Sequence, residues 1–157
     1  IAMMAAPSFN DAFVREGFAL APLFTSGSMY VTAFVDPYEA DTPGHAAMRA
    51  TFDAVGQATG NLFVTAGWSS QYHLKGVLEA AIKGGDLTRA GIRRAAANVD
   101  VDSDGMMPIK NLGKDVAQTE TFVGVPTSDN LSGIKSLASK YTGPSAAAYD
   151  WSAGACS

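Results

Sequence analysis

The sequence has little charge and almost no cysteine. Charged residues make up 17% of its 157 residues, and 11 Lys+Arg against 15 Asp+Glu give a formal net charge of −4. Because no run of Lys or Arg occurs, the chain lacks the basic surface that binding to a nucleic-acid backbone requires. Its one cysteine, Cys156, cannot form a disulfide or a cysteine-based zinc site within this chain.

Long apolar runs are also missing, although 47% of the residues are hydrophobic. The 16 Gly and 7 Pro interrupt the apolar segments before any of them reaches membrane-spanning length. The composition therefore predicts one folded domain that is neither disordered nor transmembrane. Residues 1–6 are small and apolar, without the basic residues or length of a signal peptide, and we interpret them as part of a helix.

Residue patterns predict alternating strands and helices. Residues 29–35 are β-branched and aromatic, which indicates a buried strand, and residues 119–125 give a weaker second strand. A helix is expected to begin at residues 41–44, where Asp41 or Thr42 is the N-cap. Apolar residues at helical spacing predict a long helix over 63–82, and a shorter one follows over 89–98.

Weaker signals occur near both ends of the sequence. A polar turn at residues 8–11 precedes a predicted short helix over 12–16, with Asp11 as its N-cap. Leu131, Ile134 and Leu137 form one more apolar segment, and the tail from Gly143 is expected to be loose. Two predicted strands separated by three helices indicate an α/β layer protein. Because two strands do not make a stable sheet, either strands are missed or the chain is part of something larger, and we favour the second.

Four segments in this order carry a family resemblance: residues 30–34 in the strand, 41–44 at the start of the next helix, 67–72 within the long helix and 86–89 before the following one. Across residues 7–142 the sequence resembles the C-terminal part of ABC-transporter substrate-binding proteins of the branched-chain amino acid (Leu/Ile/Val-binding) type. These are type I periplasmic binding proteins, and residues 140–144 also resemble endings in that family.

The resemblance implies two three-layer αβα lobes joined by three crossover strands, with a ligand held between them. Residues 1–35 are then expected in the C-terminal lobe, 36–118 in the N-terminal lobe, and 119–157 in a return to the C-terminal lobe and tail. It also implies that only the C-terminal portion is present, with the N-terminal portion of the same protein as a partner, and that residues are absent between Ala6 and Pro7. The other implied partners are a small-molecule ligand and ABC permease subunits, at a periplasmic or extracellular location with or without a lipid anchor.

The same resemblance implies the ligand-binding residues. Ser8, Phe9 and Asn10 occupy the place where the family contacts the ligand's amino group, often through a carboxylate, and none of the three is acidic. We therefore expect a ligand without a free amine, such as an aromatic or aliphatic carboxylate, in preference to an amino acid. Phe63 falls where the family places an aromatic residue against the ligand. The alternatives are a simple turn at residues 8–10 and a core contact for Phe63.

Other motifs give weaker hypotheses. Residues 100–105 match the first half of an EF-hand loop, but position 12 is Asn111 instead of glutamate, so an acidic surface turn is favoured over a weak calcium site. His45 and His73 lack the spacing of a metal-binding helix. Residues 67–71 resemble a nucleophile elbow without its second glycine. We expect Trp68 to pack between helix and sheet, and Arg93 and Arg94 to be solvated.

These observations leave three function classes open. The favoured one is a solute-binding receptor that is not an enzyme and uses no cofactor, metal or catalytic residue. The alternatives are a small α/β hydrolase and a ligand-sensing regulatory domain of the same fold. Because the helices between residues 41 and 98 carry more apolar surface than two strands can cover, we also predict that the segment does not fold alone.

Overall fold

The protein forms a four-stranded mixed sheet in a computed structural model that describes residues 1–57, 60–108, 110–111 and 119–150. The strands are β1 (Ala2–Ala5), β2 (Met29–Ala33), β3 (Thr121–Pro126) and β4 (Ile134–Tyr141). They lie side by side in the order β1-β2-β3-β4. β1 runs parallel to β2, whereas β2 with β3 and β3 with β4 pair antiparallel.

The strand register brings several chain segments to one end of the sheet. Ala5 pairs with Thr32, Ala33 pairs with Phe122, and Thr121 pairs with Tyr141. The carboxyl ends of β1, β2 and β4 therefore lie together beside the amino end of β3. Ligands of open α/β sheets bind at the carboxyl ends of parallel strands, so this end of the sheet is where a site is expected.

The described helices are α1 (Ala21–Phe24), α2 (Pro43–Ala54), α3 (Leu62–Lys83), α4 (Arg89–Asn98) and α5 (Pro144–Ala148). Side-chain caps fix where α2, α3 and α4 begin. Thr42 accepts a hydrogen bond from the His45 N–H, and Thr88 accepts one from the Gly91 N–H. Because each cap satisfies an amide that has no partner within the helix, the predicted starts of α2 and α4 are confirmed.

The core forms two clusters. The first lies on one face of the sheet and joins strand residues to the segment after β1 and to the start of α3; its buried members are Ala6, Phe9, Val14, Val31, Ala33, Val35, Leu62, Phe122 and Ile134. The second contains Tyr38, Met48 and Met106, with Phe52 and Trp68 packed against it. The two clusters connect the sheet to the helical part of the chain.

Two sequence predictions near the beginning of the chain are wrong. Residues 1–6 are not a helix: Ala2–Ala5 form β1, whose backbone groups pair with β2, and Ala6 begins a 3₁₀ turn. The predicted helix over 12–16 is a 3₁₀ turn at Asp11–Val14, and its cap is Asn10 instead of Asp11, because the Asn10 side chain accepts the Ala12 N–H at 2.9 Å.

The remaining sequence predictions near the end of the chain resolve as follows. The weak apolar segment is β4, so strands were indeed missed, and the tail begins with the short helix α5. Arg94 forms an ion pair with Asp86, whereas Arg93 is exposed. Cys156 lies outside the described residues. The architecture as a whole is the α/β class expected from the sequence.

One side of α3 presents apolar residues to solvent. Phe63, Leu74 and Ile82 are 53%, 54% and 61% exposed. Leu74, Leu78 and Ile82 follow one another at four-residue steps and therefore share one helix face, on which they form an exposed apolar stripe, while Phe63 is exposed separately at the amino end of the helix. This stripe agrees with the expectation that the helices carry apolar surface beyond what the sheet covers, and folding in isolation stays a prediction.

Candidate ligand-binding site

The segment that follows β1 leaves the sheet at the end where a ligand site is expected. Ser8 and Asn10 are exposed, whereas Phe9 is 2% exposed and packs edge-to-face on Phe13 with ring centroids 6.2 Å apart. The nearest acid, Asp11, lies 3.5 Å from the Arg15 guanidinium. The three predicted residues therefore offer a hydroxyl and an amide to solvent, and the adjacent carboxylate already has a cationic partner.

Phe63 lies at the amino end of α3. Its neighbour Leu62 is buried in the core cluster of the sheet, while Phe63, about 100° further around the helix, is exposed. Asn61 caps this helix by accepting the Val64 N–H at 3.0 Å. The core contact that was the alternative for Phe63 is thus made by Leu62.

Trp68 packs between helices. Its ring lies 6.0 Å from the Phe52 ring of α2, at an interplanar angle of 53°. It also belongs to the periphery of the cluster around Met48 and Met106. The expected packing role is confirmed, but the partner is α2 instead of the sheet.

Asp36 joins three parts of the chain just after β2. Its carboxylate Oδ2 accepts a hydrogen bond from the Ser139 hydroxyl of β4 at 2.5 Å. Its backbone oxygen lies 3.3 Å from His45 Nε2 in α2. Since Asp36 is 6% exposed, these contacts form a buried connection between the end of β2, β4 and the beginning of the helical region.

His45 is fully buried, and both of its ring nitrogens have partners. Nδ1 lies 2.7 Å from the Thr42 hydroxyl and Nε2 lies 3.3 Å from the Asp36 carbonyl oxygen. Because a carbonyl oxygen can only accept, the Nε2–H tautomer fits this pair of contacts. Burial lowers the pKa of His45 below its ordinary value, so the neutral ring is favoured.

Two oppositely charged side chains hold the turn between β3 and β4. The Glu39 carboxylate accepts the Ser132 N–H at 2.9 Å and the Ser132 hydroxyl at 2.6 Å. The Arg15 guanidinium donates to the backbone oxygens of Asn130 at 3.0 Å and Leu131 at 2.5 Å. Glu39 thus ties the segment after β2 to a turn 93 residues further along the chain.

The acidic segment at residues 100–105 folds as a turn. Asp100 Oδ1 accepts from the Asn111 amide at 2.7 Å, and Asp102 Oδ1 lies 3.4 Å from the Gly105 N–H. Asp104 and Gly105 have φ values of 53° and 80°, so the backbone reverses there. Within the described ranges no group of three or more His, Cys, Asp or Glu side chains is placed to hold a metal ion.

The serine-containing segment of α3 does not form a nucleophile elbow. Ser69 and Ser70 both lie inside the helix, and their hydroxyls donate to the Ala66 carbonyl oxygen at 3.0 and 2.8 Å. A nucleophile elbow places its serine on a sharp turn between a strand and a helix. Residues 67–71 are therefore not a nucleophile elbow.

Comparison with known proteins gives the fold of the chain. No protein-family model and no curated protein matches the sequence. A solved structure of a fatty acid ABC transporter substrate-binding protein from Thermomonospora curvata matches 94% of the chain with a TM-score of 0.79 and 18% identity. A branched-chain amino acid ABC transporter structure from Thermus thermophilus with bound valine matches 90% of the chain with a TM-score of 0.63 and 10% identity.

The fold is therefore the type I periplasmic-binding-protein-like fold, of which this chain represents a part. The chain spans 38% of the Thermomonospora protein and 39% of the Thermus protein. The first neighbour is named as the substrate-binding protein of an ABC transporter and the second as an ABC transporter. Among the described helices, none combines the length and hydropathy needed to cross a membrane.

Proposed function

We propose that this chain is part of an extracytoplasmic solute-binding receptor of an ABC importer. The observation that carries the proposal is the match of 94% of the chain, at a TM-score of 0.79, to a substrate-binding protein. The sheet end where β1 and β2 finish agrees with it, because ligands bind at such ends in open α/β folds. Its partners are then a small-molecule ligand and the transmembrane subunits of a permease.

The proposal assigns the chain segments to two lobes. Residues 1–35 and 119–157 belong to a C-terminal lobe, residues 36–118 belong to an N-terminal lobe, and the remainder of both lobes comes from the N-terminal portion of the same protein. Leu62, at the start of α3, packs into the core cluster of the sheet, so in this arrangement the start of α3 lies where the two lobes meet. The exposed stripe on α3 is then covered by the remainder of the N-terminal lobe.

The proposed ligand is a small aliphatic or aromatic carboxylate. One structural neighbour is named for a fatty acid and the other holds valine, and the two ligands share a carboxylate while only valine carries an ammonium. Ser8 and Asn10 supply no negative charge, and Asp11 is paired with Arg15. Burial of an ammonium without a counter-charge costs several kcal/mol, about 2 or more, which disfavours the amino acid.

The two aromatic residues have different parts in this proposal. Phe63, exposed at the start of α3, offers a ring face to the ligand. Phe9 is buried in the core cluster of the sheet, whose members apart from Leu62 all belong to the proposed C-terminal lobe, so its ring packs within that lobe and offers no face to a ligand. Lobe opening and closing by hinge motion is a known mode of ligand capture in two-lobe binding proteins.

Matched ligand pairs test the proposal on the complete protein encoded by the gene. Leucine is compared with isocaproate, which is leucine without its amino group, and phenylalanine with hydrocinnamate. We expect the two deaminated acids to raise the melting temperature and the two amino acids to have at least about tenfold lower affinity. If leucine or phenylalanine raised the melting temperature and the deaminated acids did not, the proposed ligand class would be contradicted. If none of the four ligands raised it, the proposal of a receptor for such ligands would be contradicted.

A charge-insertion variant tests the position of the site. Ser8→Asp places a carboxylate where the ammonium of an amino acid is expected, and we expect it to shift the preference from isocaproate toward leucine. Ser136→Asp inserts the same charge at an exposed position of β4 and should leave the ligand preference unchanged. An equal effect of the two substitutions would show that residues 8–10 do not face the ligand.

A further inference from the structure

Glu39 follows β2 in a segment that is fixed to α2. The Arg49 guanidinium of α2 donates hydrogen bonds to the backbone oxygens of Tyr38 at 2.7 Å and Ala40 at 3.0 Å. These two residues flank Glu39, and the Ala40 N–H closes a turn by donating to the Pro37 oxygen at 2.9 Å. Because hydrogen bonds from a charged donor are stronger than those between neutral groups, α2 holds the backbone on both sides of Glu39 in place.

Ser132 lies in a turn that is fixed to the segment after β1. The Arg15 guanidinium donates to the backbone oxygen of Leu131, the residue before Ser132, at 2.5 Å. The residue after it, Gly133, has a φ of 72°, and a Cβ at this position would lie 3.1 Å from the Asp11 Cα. The turn between β3 and β4 therefore packs closely on the 3₁₀ turn that follows the proposed ligand-binding residues.

These two fixed segments meet in two contacts. The Glu39 carboxylate accepts the Ser132 N–H at 2.9 Å and the Ser132 hydroxyl at 2.6 Å. Just before α3, a Cβ at Gly60 would lie 2.7 Å from the Leu131 Cβ and 2.8 Å from the Tyr38 ring. Real Cβ atoms do not approach other atoms this closely, so a side chain at position 60 would push these groups apart.

We propose that the Glu39–Ser132 contact forms when the two lobes close and holds the receptor in its closed state. This inference rests on the proposed function, which assigns residues 36–118 to one lobe and residues 1–35 and 119–157 to the other. Under that assignment the contact joins the lobes, and an arginine holds each partner within its own lobe. Opening by hinge motion then separates the two residues. Glu39 is a positioning residue, because it acts on the ligand only through closure.

Amide hydrogen exchange of the complete protein without ligand separates lobe closure from simple anchoring of the turn. Opening removes the acceptor of the Ser132 N–H, whereas the Thr127 N–H keeps its partner within the turn, the Gly133 oxygen at 2.8 Å. We therefore expect the protection of the Ser132 N–H to be at least about tenfold below that of the Thr127 N–H. Equal protection would overturn the proposal, whether or not any of the four acids binds. Lower protection at Ser132 without binding of these acids would support closure and contradict the proposed ligands.

Variants of the contact test whether it holds the closed state. If closure accompanies binding, a less populated closed state lowers the apparent affinity by the same factor. Glu39→Ala removes both hydrogen bonds and should weaken the binding of isocaproate and of leucine by about tenfold each. Ser132→Ala removes one bond and should have a smaller effect in the same direction. Thr88→Ala, which removes a helix cap within one lobe, is the control and should leave the affinity unchanged.

A pair of glycine variants gives a second readout that leaves Glu39 and Ser132 intact. Gly60→Ala places a methyl group against Leu131 and should also weaken isocaproate binding. Gly67→Ala is the matched control, since a Cβ at this exposed position of α3 meets no neighbouring group within 4 Å. Unchanged affinity in both Glu39→Ala and Gly60→Ala would overturn the proposal. Equal losses in these variants and in their controls would show a general loss of stability and contradict it as well.

Discussion

The contact between Glu39 and Ser132 provides a quantitative test of how the segment after β2 is held. Ser132 is 1% exposed, and its hydroxyl and backbone N–H both donate to the Glu39 carboxylate, at 2.6 and 2.9 Å. A hydrogen bond to a charged group contributes about 1.5–3 kcal/mol. Ser132→Ala removes one of the two bonds, and the exposed Glu39 carboxylate regains water, so we expect a loss of about 1–2 kcal/mol in the free energy of unfolding.

A double-mutant cycle isolates this contact. Glu39→Gln preserves the side-chain shape but removes the charge, and the double variant should be less destabilised than the sum of the single variants by about 1 kcal/mol. The assay is urea unfolding of the complete protein, with an unchanged dependence on urea concentration as the check on two-state behaviour. Ser136→Ala, an exposed serine on β4, is the control and should stay within about 0.5 kcal/mol of the parent. Additive single effects, or a Ser132→Ala loss equal to that of the control, would refute the reasoning.

Three further predictions concern pH, packing and capping. Because burial lowers the pKa of His45, the unfolded chain binds a proton at this residue more strongly than the folded chain does. The free energy of unfolding should therefore be highest above about pH 6.5 and should fall as the pH drops toward the lowered pKa. Urea unfolding at several pH values measures this dependence, and His45→Gln should lack the part of it that His45 causes. Gly124→Ala places a methyl group 2.6 Å from Ile134 Cγ2 and should cost about 1–3 kcal/mol in the same assay, whereas no loss would contradict the close packing of β3 on β4. Thr88→Ala removes the cap of α4 and should cost about 0.5–2 kcal/mol, with Thr88→Ser retaining most of the stability.

Local chemistry made the helix starts and the central strand predictable. Thr42 and Thr88 precede helical patterns at the positions that capping requires, and both act as caps. β2 was recognisable because its β-branched and aromatic residues suit a buried strand. In contrast, the alanines and methionines of β1 have high helix propensity, and the sequence does not reveal that β2 lies alongside to pair with them.

The contacts at the candidate site were not predictable from the sequence because they join distant residues. Asp36 precedes a proline and resembles the end of a strand, but its hydrogen-bond partner Ser139 lies 103 residues away. Glu39 likewise has no neighbouring signal for its contact with Ser132. Asn10 and Asp11 are both good cap residues, so only the backbone geometry distinguished them. The placement of Ser8, Phe9, Asn10 and Phe63 against a ligand stays a prediction.

Isothermal titration calorimetry of the complete protein with isocaproate, followed by mass spectrometry of the recovered ligand, tests the central proposal most directly. A solute-binding receptor predicts one ligand per protein, a negative heat-capacity change from burial of apolar surface, and recovery of isocaproate chemically unchanged. Absence of binding heat for isocaproate, hydrocinnamate, leucine and phenylalanine alike, or conversion of the bound ligand to a product, would contradict the account.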